Sequence, residues 1–169
     1  LLGADAGSRL RVTLRLLSDE PCVVQGSAEM LGWSLWEVVK NAAIYGRGGD
    51  VAVSVYKSDR MVVVDVEDDG PGVSPGADEL IFLRFYQDPN VQSRRRGKRG
   101  LGLGLFLARY LAERHFGVLS WVRNKSKGGV FRFIFPLASA QSETGHETGG
   151  GEGGDGVGHE GGPSSGNVA

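Results

Sequence analysis

Apolar and polar positions change rhythm several times along this chain, and each change predicts an element. Residues 9–17 (RLRVTLRLL) alternate apolar and basic side chains, the two-residue period of a strand. Residues 21–26 are expected to form a second, short strand. Ser27 then stands as an N-cap ahead of Met30, Leu31, Trp33, Ser34, Leu35, Val38, Ala42 and Ile44, which follow a helical spacing. Gly46 and the Gly48, Gly49 pair end that helix. Residues 50–57 and 60–67 return to strand patterning and are joined at Ser58 and Asp59, so a hairpin is expected. Asp69, Gly70, Pro71 and Gly72 punctuate a turn, and residues 75–81 are expected to hold a short helix. Residues 86–100 are polar, basic and without period, the reading of a mobile loop. Residues 102–115 (GLGLFLARYLAERH) restore a helix that Gly117 stops. Residues 118–124 and 129–137 form a last strand pair around Lys127, Gly128 and Gly129.

Composition changes this picture mainly at the C-terminal end. Residues 139–169 are rich in Gly, Ser, Glu, Thr and His, and such a segment buries too little apolar surface to offset the entropy of ordering it. The expected organisation is therefore one folded domain over residues 1–138 and a disordered acidic tail over 139–169. The net charge of −1 hides this division: the tail holds five acids and no Lys or Arg, so the body carries +4. A mildly basic body suits a polyanionic ligand. His146 and His159 in the tail have no cysteine partner and are read as tail residues, not metal ligands. Cys22 is the only cysteine, so no internal disulfide can form and a reducing, cytoplasmic setting is expected. No apolar run approaches the ~20 residues of a membrane span, and no signal-peptide pattern is present, so this segment is expected to make no membrane contact. The chain begins with Leu1, as a piece of a longer, membrane-anchored parent would.

Four clusters carry candidate chemistry. Glu37 and Asn41 lie one helical turn apart on the same face. A carboxylate there can take up a proton and a carboxamide oxygen can ligate Mg²⁺, although both also suit the solvent side of an ordinary helix. Asp68 ends an apolar strand and can accept a hydrogen bond from an exocyclic amine, while Gly70 and Gly72 let the backbone approach a ligand closely. The same residues also read as a plain turn. Gly100, Gly102 and Gly104 alternate with Leu101 and Leu103 and open into a helix, whose first turn has unpaired N–H donors for phosphate. The pattern is neither Walker A nor the dinucleotide fingerprint, and it also fits close helix packing. The side chains of Leu103, Leu105 and Leu107 are expected in the core, as are Trp33, Trp36 and Trp121. Residues 94–99 (RRRGKR) place five cations in six positions, read as phosphate-binding residues, as a nucleic-acid or partner patch, or as a solvated loop. No aromatic residue interrupts the run, which argues against a base-stacking platform.

In their order along the chain, LWEVVKNAA (35–43), VEDDGPGV (66–73), IFLRF (81–85) and RGLGLGLFLAR (99–109) resemble the nucleotide site of the GHKL superfamily, and within it the catalytic domain of sensor histidine kinases. The resemblance covers roughly residues 10–137. It implies an α/β two-layer sandwich with a mixed, mostly antiparallel sheet under three helices, the Bergerat-type ATP-binding fold. It implies ATP and Mg²⁺ as cofactors, with Asn41 as the Mg²⁺ ligand, Glu37 as the base and Asp68 as the acceptor for the adenine amino group. Tyr45, Gly70, Gly72, Phe85, Arg96, Lys98, Arg99 and the run Gly100, Leu101, Gly102, Leu103, Gly104 complete the nucleotide site. Phe82 and Phe85 would anchor the base of an ATP lid that contains residues 94–99. The implied partners are a His-containing dimerisation hairpin and a downstream response regulator, with no nucleic acid expected. The chain departs from the pattern at Ile44, where many histidine kinases carry Lys or Arg. The same resemblance admits a serine kinase of the anti-sigma-factor type, or a nucleotide-sensing module without turnover. None of His115, His146 and His159 has the setting of a phosphoacceptor.

Overall fold

The computed structural model describes residues 11–46, 50–89, 100–123 and 128–138. The elements run β1 (Arg11–Leu16), α1 (Ala28–Tyr45), β2 (Asp50–Ser58), β3 (Met61–Asp68), a 3₁₀ turn (Leu80–Phe82), α2 (Gly104–Arg114), β4 (Val118–Arg123) and β5 (Gly129–Pro136). One five-stranded sheet has the order β1-β2-β3-β5-β4. β1 pairs parallel with β2, and the other pairings are antiparallel. This is the two-layer α/β sandwich with a mixed, mostly antiparallel sheet that the resemblance implies. The third helix, expected at 75–81, is only the 3₁₀ turn at Leu80–Phe82. Residues 21–26 contribute a single bridge, Val24 to Leu137, and no strand. The expected tail at 139–169 lies outside the described residues.

Strand alternation decides which side chains meet the helices. Val51 and Val53 on β2, Val66 on β3, Leu119 on β4 and Phe131, Phe133 and Phe135 on β5 face the helical layer and are buried. Val38 and Ala42 of α1 and Ala108 and Ala112 of α2 close the core from above. Each of the larger side chains stabilises the fold by roughly 1.5–3 kcal/mol on burial. Ala108 and Ala112 are one turn apart on α2, and their small size lets α1 come close. Ser34, fully buried on α1, donates its hydroxyl proton to the Ala108 carbonyl at 2.7 Å. The outer face of the sheet is tied by Arg132, which holds Asp65 with two bonds of 2.7 and 2.8 Å across the β3–β5 pair. β1 is an edge strand whose six residues are all exposed.

The predicted ends are close to the observed ones. Ser27 caps α1, its side chain accepting from the Met30 N–H, and Gly46 closes it with an N–H bond to the Ala42 carbonyl. The β2–β3 hairpin turns one residue later than expected, at Asp59 and Arg60, with Asp59 at φ 53° and Ser58 opposite Met61. The left-handed residue after α2 is Phe116 (φ 58°), not Gly117. Gly117 closes α2, its N–H donating to the Ala112 carbonyl at 2.9 Å, and it has a packing role as well: a Cβ there would run into the Phe135 ring. Trp33 is 55% exposed and Trp36 43%, so neither serves the packing role read for it from sequence. Both stand on the side of α1 away from the buried residues.

His115 joins the two helices. It accepts the Ser27 N–H at Nε2 (3.1 Å), which leaves Nδ1 to donate to the Leu111 carbonyl at 2.7 Å. The ring is buried, so both bonds are shielded from water. His115→Ala would strand a donor at the start of α1 and a carbonyl near the end of α2. The expected outcome is a loss of about 2 kcal/mol of unfolding free energy, read as a lower urea midpoint with an unchanged slope. A loss below a few tenths would show that water replaces the ring.

Candidate functional site

Between α1, α2 and the sheet lies a cavity of about 730 Å³, within the range of small-molecule sites. The helical period brings Glu37, Lys40, Asn41, Ile44 and Tyr45 of α1 to its wall. Asp68 ends β3 and is followed at the wall by Pro71, Gly72 and Val73. The chain between the 3₁₀ turn and α2 adds Tyr86, Gln87, Asp88 and Pro89 on one side and Gly100, Leu101, Gly102, Leu103 and Gly104 on the other. Trp121 and Phe131 line it from β4 and β5. Residues far apart in sequence thus converge on one space, including ten of the fifteen read as site residues.

Asp68 is the buried polar residue among the described wall residues, only 8% exposed. Its Oδ1 accepts the Gly70 N–H at 2.6 Å. Burial pushes its carboxyl above the ordinary Asp range; the Gly70 bond acts in the opposite direction, and the Asp69 and Glu67 carboxylates add to the upward shift. Glycine makes room around it. A Cβ on Gly70 would meet Asp68 Oδ1 and the Tyr45 carbonyl, and one on Gly128 would collide with the Asp68 carbonyl. Gly70 therefore does not line the cavity but holds the residue that does.

The glycine run enters α2 with Leu103 as N-cap and no side-chain bond to the first-turn amides. Gly102 has φ 71°, and a Cβ there would press on the Tyr86 carbonyl and the Phe85 backbone. The Phe85 N–H donates to the Gly102 carbonyl at 2.9 Å and the Gln87 amide to the Gly100 carbonyl at 2.8 Å, so the two flanks of residues 90–99 are stitched together. Glu37 lies across from this entry: a Cβ on Gly104 would be 2.6 Å from Glu37 Oε2, while Glu37 Oε1 pairs with Lys40 Nζ at 2.6 Å.

Several sequence readings change here. Phe82 is buried edge-on to Phe131 (6.4 Å between centroids), with the Arg109 guanidinium over its other side, and so anchors this segment. Phe85 does not: it sits at φ 64° with its ring 67% exposed, and it is not at the cavity wall. Leu103, Leu105 and Leu107 all line the cavity, but of the three only Leu105 packs on the core, and Leu107 is 39% exposed; Trp121 belongs to the cavity wall as well as to the core. Lys40, Ile81, Tyr86, Gln87 and Asp88 are wall residues that sequence reasoning missed. For Lys40 a signal existed, its place between Glu37 and Asn41 on one helix. The segment 86–89 carried none. Arg96, Lys98 and Arg99, with the rest of the expected lid at 94–99, lie outside the described residues. His115, with both ring nitrogens bonded, is not presented to any ligand.

The comparisons with known proteins agree with this geometry. Residues 26–139 match the family model described as "Histidine kinase-, DNA gyrase B-, and HSP90-like ATPase". Sensor histidine kinase RppB of Synechocystis sp. is 32% identical over 124 residues, 73% of this chain and 27% of that protein. Histidine kinase P4 of Formosa agariphila is 30% identical over 60% of this chain and 8% of its own length. This chain thus spans only about a quarter or less of these relatives. Among solved structures, full-length ShkA in complex with AMPPNP superposes with a TM-score of 0.63 at 28% identity, covering 76% of this chain and 26% of that one. The mycobacterial sensor histidine kinase MprB gives 0.60 at 26% identity, covering 74% and 80%. With the matching model spanning well over half of its length and the sheet, helices and cavity in their places, this chain belongs to the histidine kinase-, DNA gyrase B- and HSP90-like ATPase family and is an ATP-binding domain of the sensor histidine kinase type.

Proposed function

We propose that this domain binds Mg-ATP and transfers the γ-phosphoryl group to a His on a separate dimerisation hairpin, in the cytoplasm, for onward passage to a response regulator. The observation that carries the reading is Asp68, a nearly buried carboxyl at the wall of a nucleotide-sized cavity that is also lined by a helix start without a side-chain cap. Asp68 accepts a hydrogen bond from the adenine amino group at its second oxygen, while Oδ1 keeps the Gly70 N–H. The triphosphate runs towards Gly102, Leu103 and Gly104, where first-turn amides and the positive end of α2 favour anions. Asn41 fits a Mg²⁺ ion that takes its other ligands from phosphates and water, and the ion would neutralise phosphate charge. Catalysis is then a matter of positioning and charge stabilisation. An imidazole nitrogen of the acceptor attacks the γ-phosphorus, the bond to the bridging oxygen of ADP breaks, and Glu37 receives the proton that the imidazole gives up.

Asp68→Asn has two expected outcomes with opposite signs. Calorimetric titration should show ATP binding weakened about 10- to 100-fold, because a charge-assisted bond is lost. The ligand-free domain should become more stable near neutral pH. A carboxyl whose folded pKa is raised binds its proton more tightly in the folded state, so wild-type stability falls as pH rises from the ordinary Asp range through the raised folded value. Melts from pH 4 to 8 should show the variant's advantage shrinking towards acid. A pH-independent difference would mean that burial is not the cause, and equal affinity of the unmodified chain for ATP and GTP would count against the adenine assignment.

Transfer is tested in trans. With ATP alone the chain should make no phosphoprotein, and with a cognate helical hairpin it should make acid-labile phosphohistidine. Glu37→Gln should slow that step by about 10²-fold or more, the usual worth of a general base. Asn41→Ala should leave nucleotide binding insensitive to Mg²⁺. An acid-stable phosphoserine on a small partner protein would identify the serine-kinase alternative, and tight ATP binding without transfer to any hairpin the sensing module.

A further inference from the structure

Among the described residues at the cavity wall there are three carboxylates, Glu37, Asp68 and Asp88, and one cation, Lys40. A triphosphate therefore meets a described wall that is net negative, and the single cation is already engaged. Lys40 Nζ lies 2.6 Å from Glu37 Oε1, one helical turn back along α1. The pair is unequally placed. The Glu37 side chain is 11% exposed and set against Gly104 at the start of α2, whereas the Lys40 side chain, on the wall of the same space, is 37% exposed. Ile44, one turn further along the same wall, offers no donor.

Building on the nucleotide reading, we infer that Lys40 is the residue that recognises the terminal phosphates and, in doing so, releases Glu37. In the ligand-free domain Lys40 occupies the very carboxylate that would have to accept a proton. An ammonium on a four-carbon stem can change partners without moving the backbone. The Lys40 end of the pair is the exposed one, so its ammonium can turn to another acceptor without being dug out of the core, and a phosphate group offers it more charge and several acceptor oxygens. When a triphosphate enters, Lys40 leaves Glu37 for the phosphate, and the Glu37 carboxylate becomes available beside the start of α2. Proton acceptance by Glu37 is thereby coupled to the presence of the phosphoryl donor. AMP, whose one phosphate lies nearest the nucleoside, does not reach Lys40.

Calorimetric titration of the unmodified chain and four variants with ATP, ADP and AMP tests this. Lys40→Met should weaken ATP binding about tenfold or more, the worth of one charge-assisted contact, and ADP binding less, while AMP affinity stays within about twofold. Lys40→Arg should keep most of the ATP affinity. Lys40→Met with Ile44→Lys should regain it, because residue 44 lies on the same wall one turn away. Glu37→Gln should tighten ATP binding severalfold, since Lys40 no longer has an ion pair to give up. A loss in Lys40→Met that is equal for ATP, ADP and AMP would reduce Lys40 to a structural role and overturn the proposal. So would unchanged ATP affinity in Lys40→Met, or unchanged or weaker ATP affinity in Glu37→Gln. Absence of ATP binding by the unmodified chain would overturn the nucleotide reading and this inference together, whereas normal ATP binding with an indifferent Lys40 overturns this inference alone.

Discussion

A carboxyl group held out of water at the end of the central strand is the constraint around which this domain is arranged. Asp68 closes β3, the middle of five strands, and three chain segments approach it through glycine. Gly46 arrives from the end of α1, Gly70 from the turn that follows, and Gly128 from the β4–β5 connection. A side chain at Gly70 or Gly128 would strike Asp68 itself. Burial raises the free energy of the charged carboxylate, so the residue costs stability in the empty domain. Titratable groups perturbed by burial in this way concentrate at functional sites.

The cavity exists because α1 and α2 pack tightly at one place and separate beyond it. Ser34 bonds to the backbone of Ala108, and His115 ties the start of α1 to the end of α2. Towards the other end of α1, Glu37 stands against Gly104, the glycine with which α2 begins, and Asn41 lines the cavity. Space opens there instead of closing. The bonds from Phe85 and Gln87 to Gly102 and Gly100 then set where the cavity wall ends and residues 90–99 begin. The polar groups of the cavity wall are thus carried by different layers: the sheet presents Asp68, and α1 presents Glu37, Lys40 and Asn41.

Much of this was legible in the chain. The strand patterns located all five strands, every end within two residues, and Ser27 and Gly46 bounded α1 as their capping chemistry demands. The E-x-x-x-N spacing put Glu37 and Asn41 on one helix face, because side chains four apart on a helix must share one. The D-x-G-x-G turn and the alternating glycines were legible for the same reason: each is a local backbone requirement written in local residues. Such features depend on neighbours within a turn or two, and sequence alone determined them.

What tertiary structure decided were the contacts between distant segments. Sequence reading placed Trp33 and Trp36 in the core because it counts apolar residues without knowing which helix face the sheet covers. It placed Phe85 beside Phe82 as an anchor, although a left-handed backbone at Phe85 turns the ring outwards. Gly117 was read as a helix stop, and its N–H does close α2 on the Ala112 carbonyl, but that it also admits Phe135, eighteen residues later, no local pattern shows. Parallel pairing of β1 with β2, the cavity-facing side of Trp121 and the Lys40–Glu37 pair at the cavity wall all depend on where a second segment lies. Hydrophobic period and capping specify an element and its ends; which of its faces becomes core, wall or solvent is set only when the sheet and helices meet.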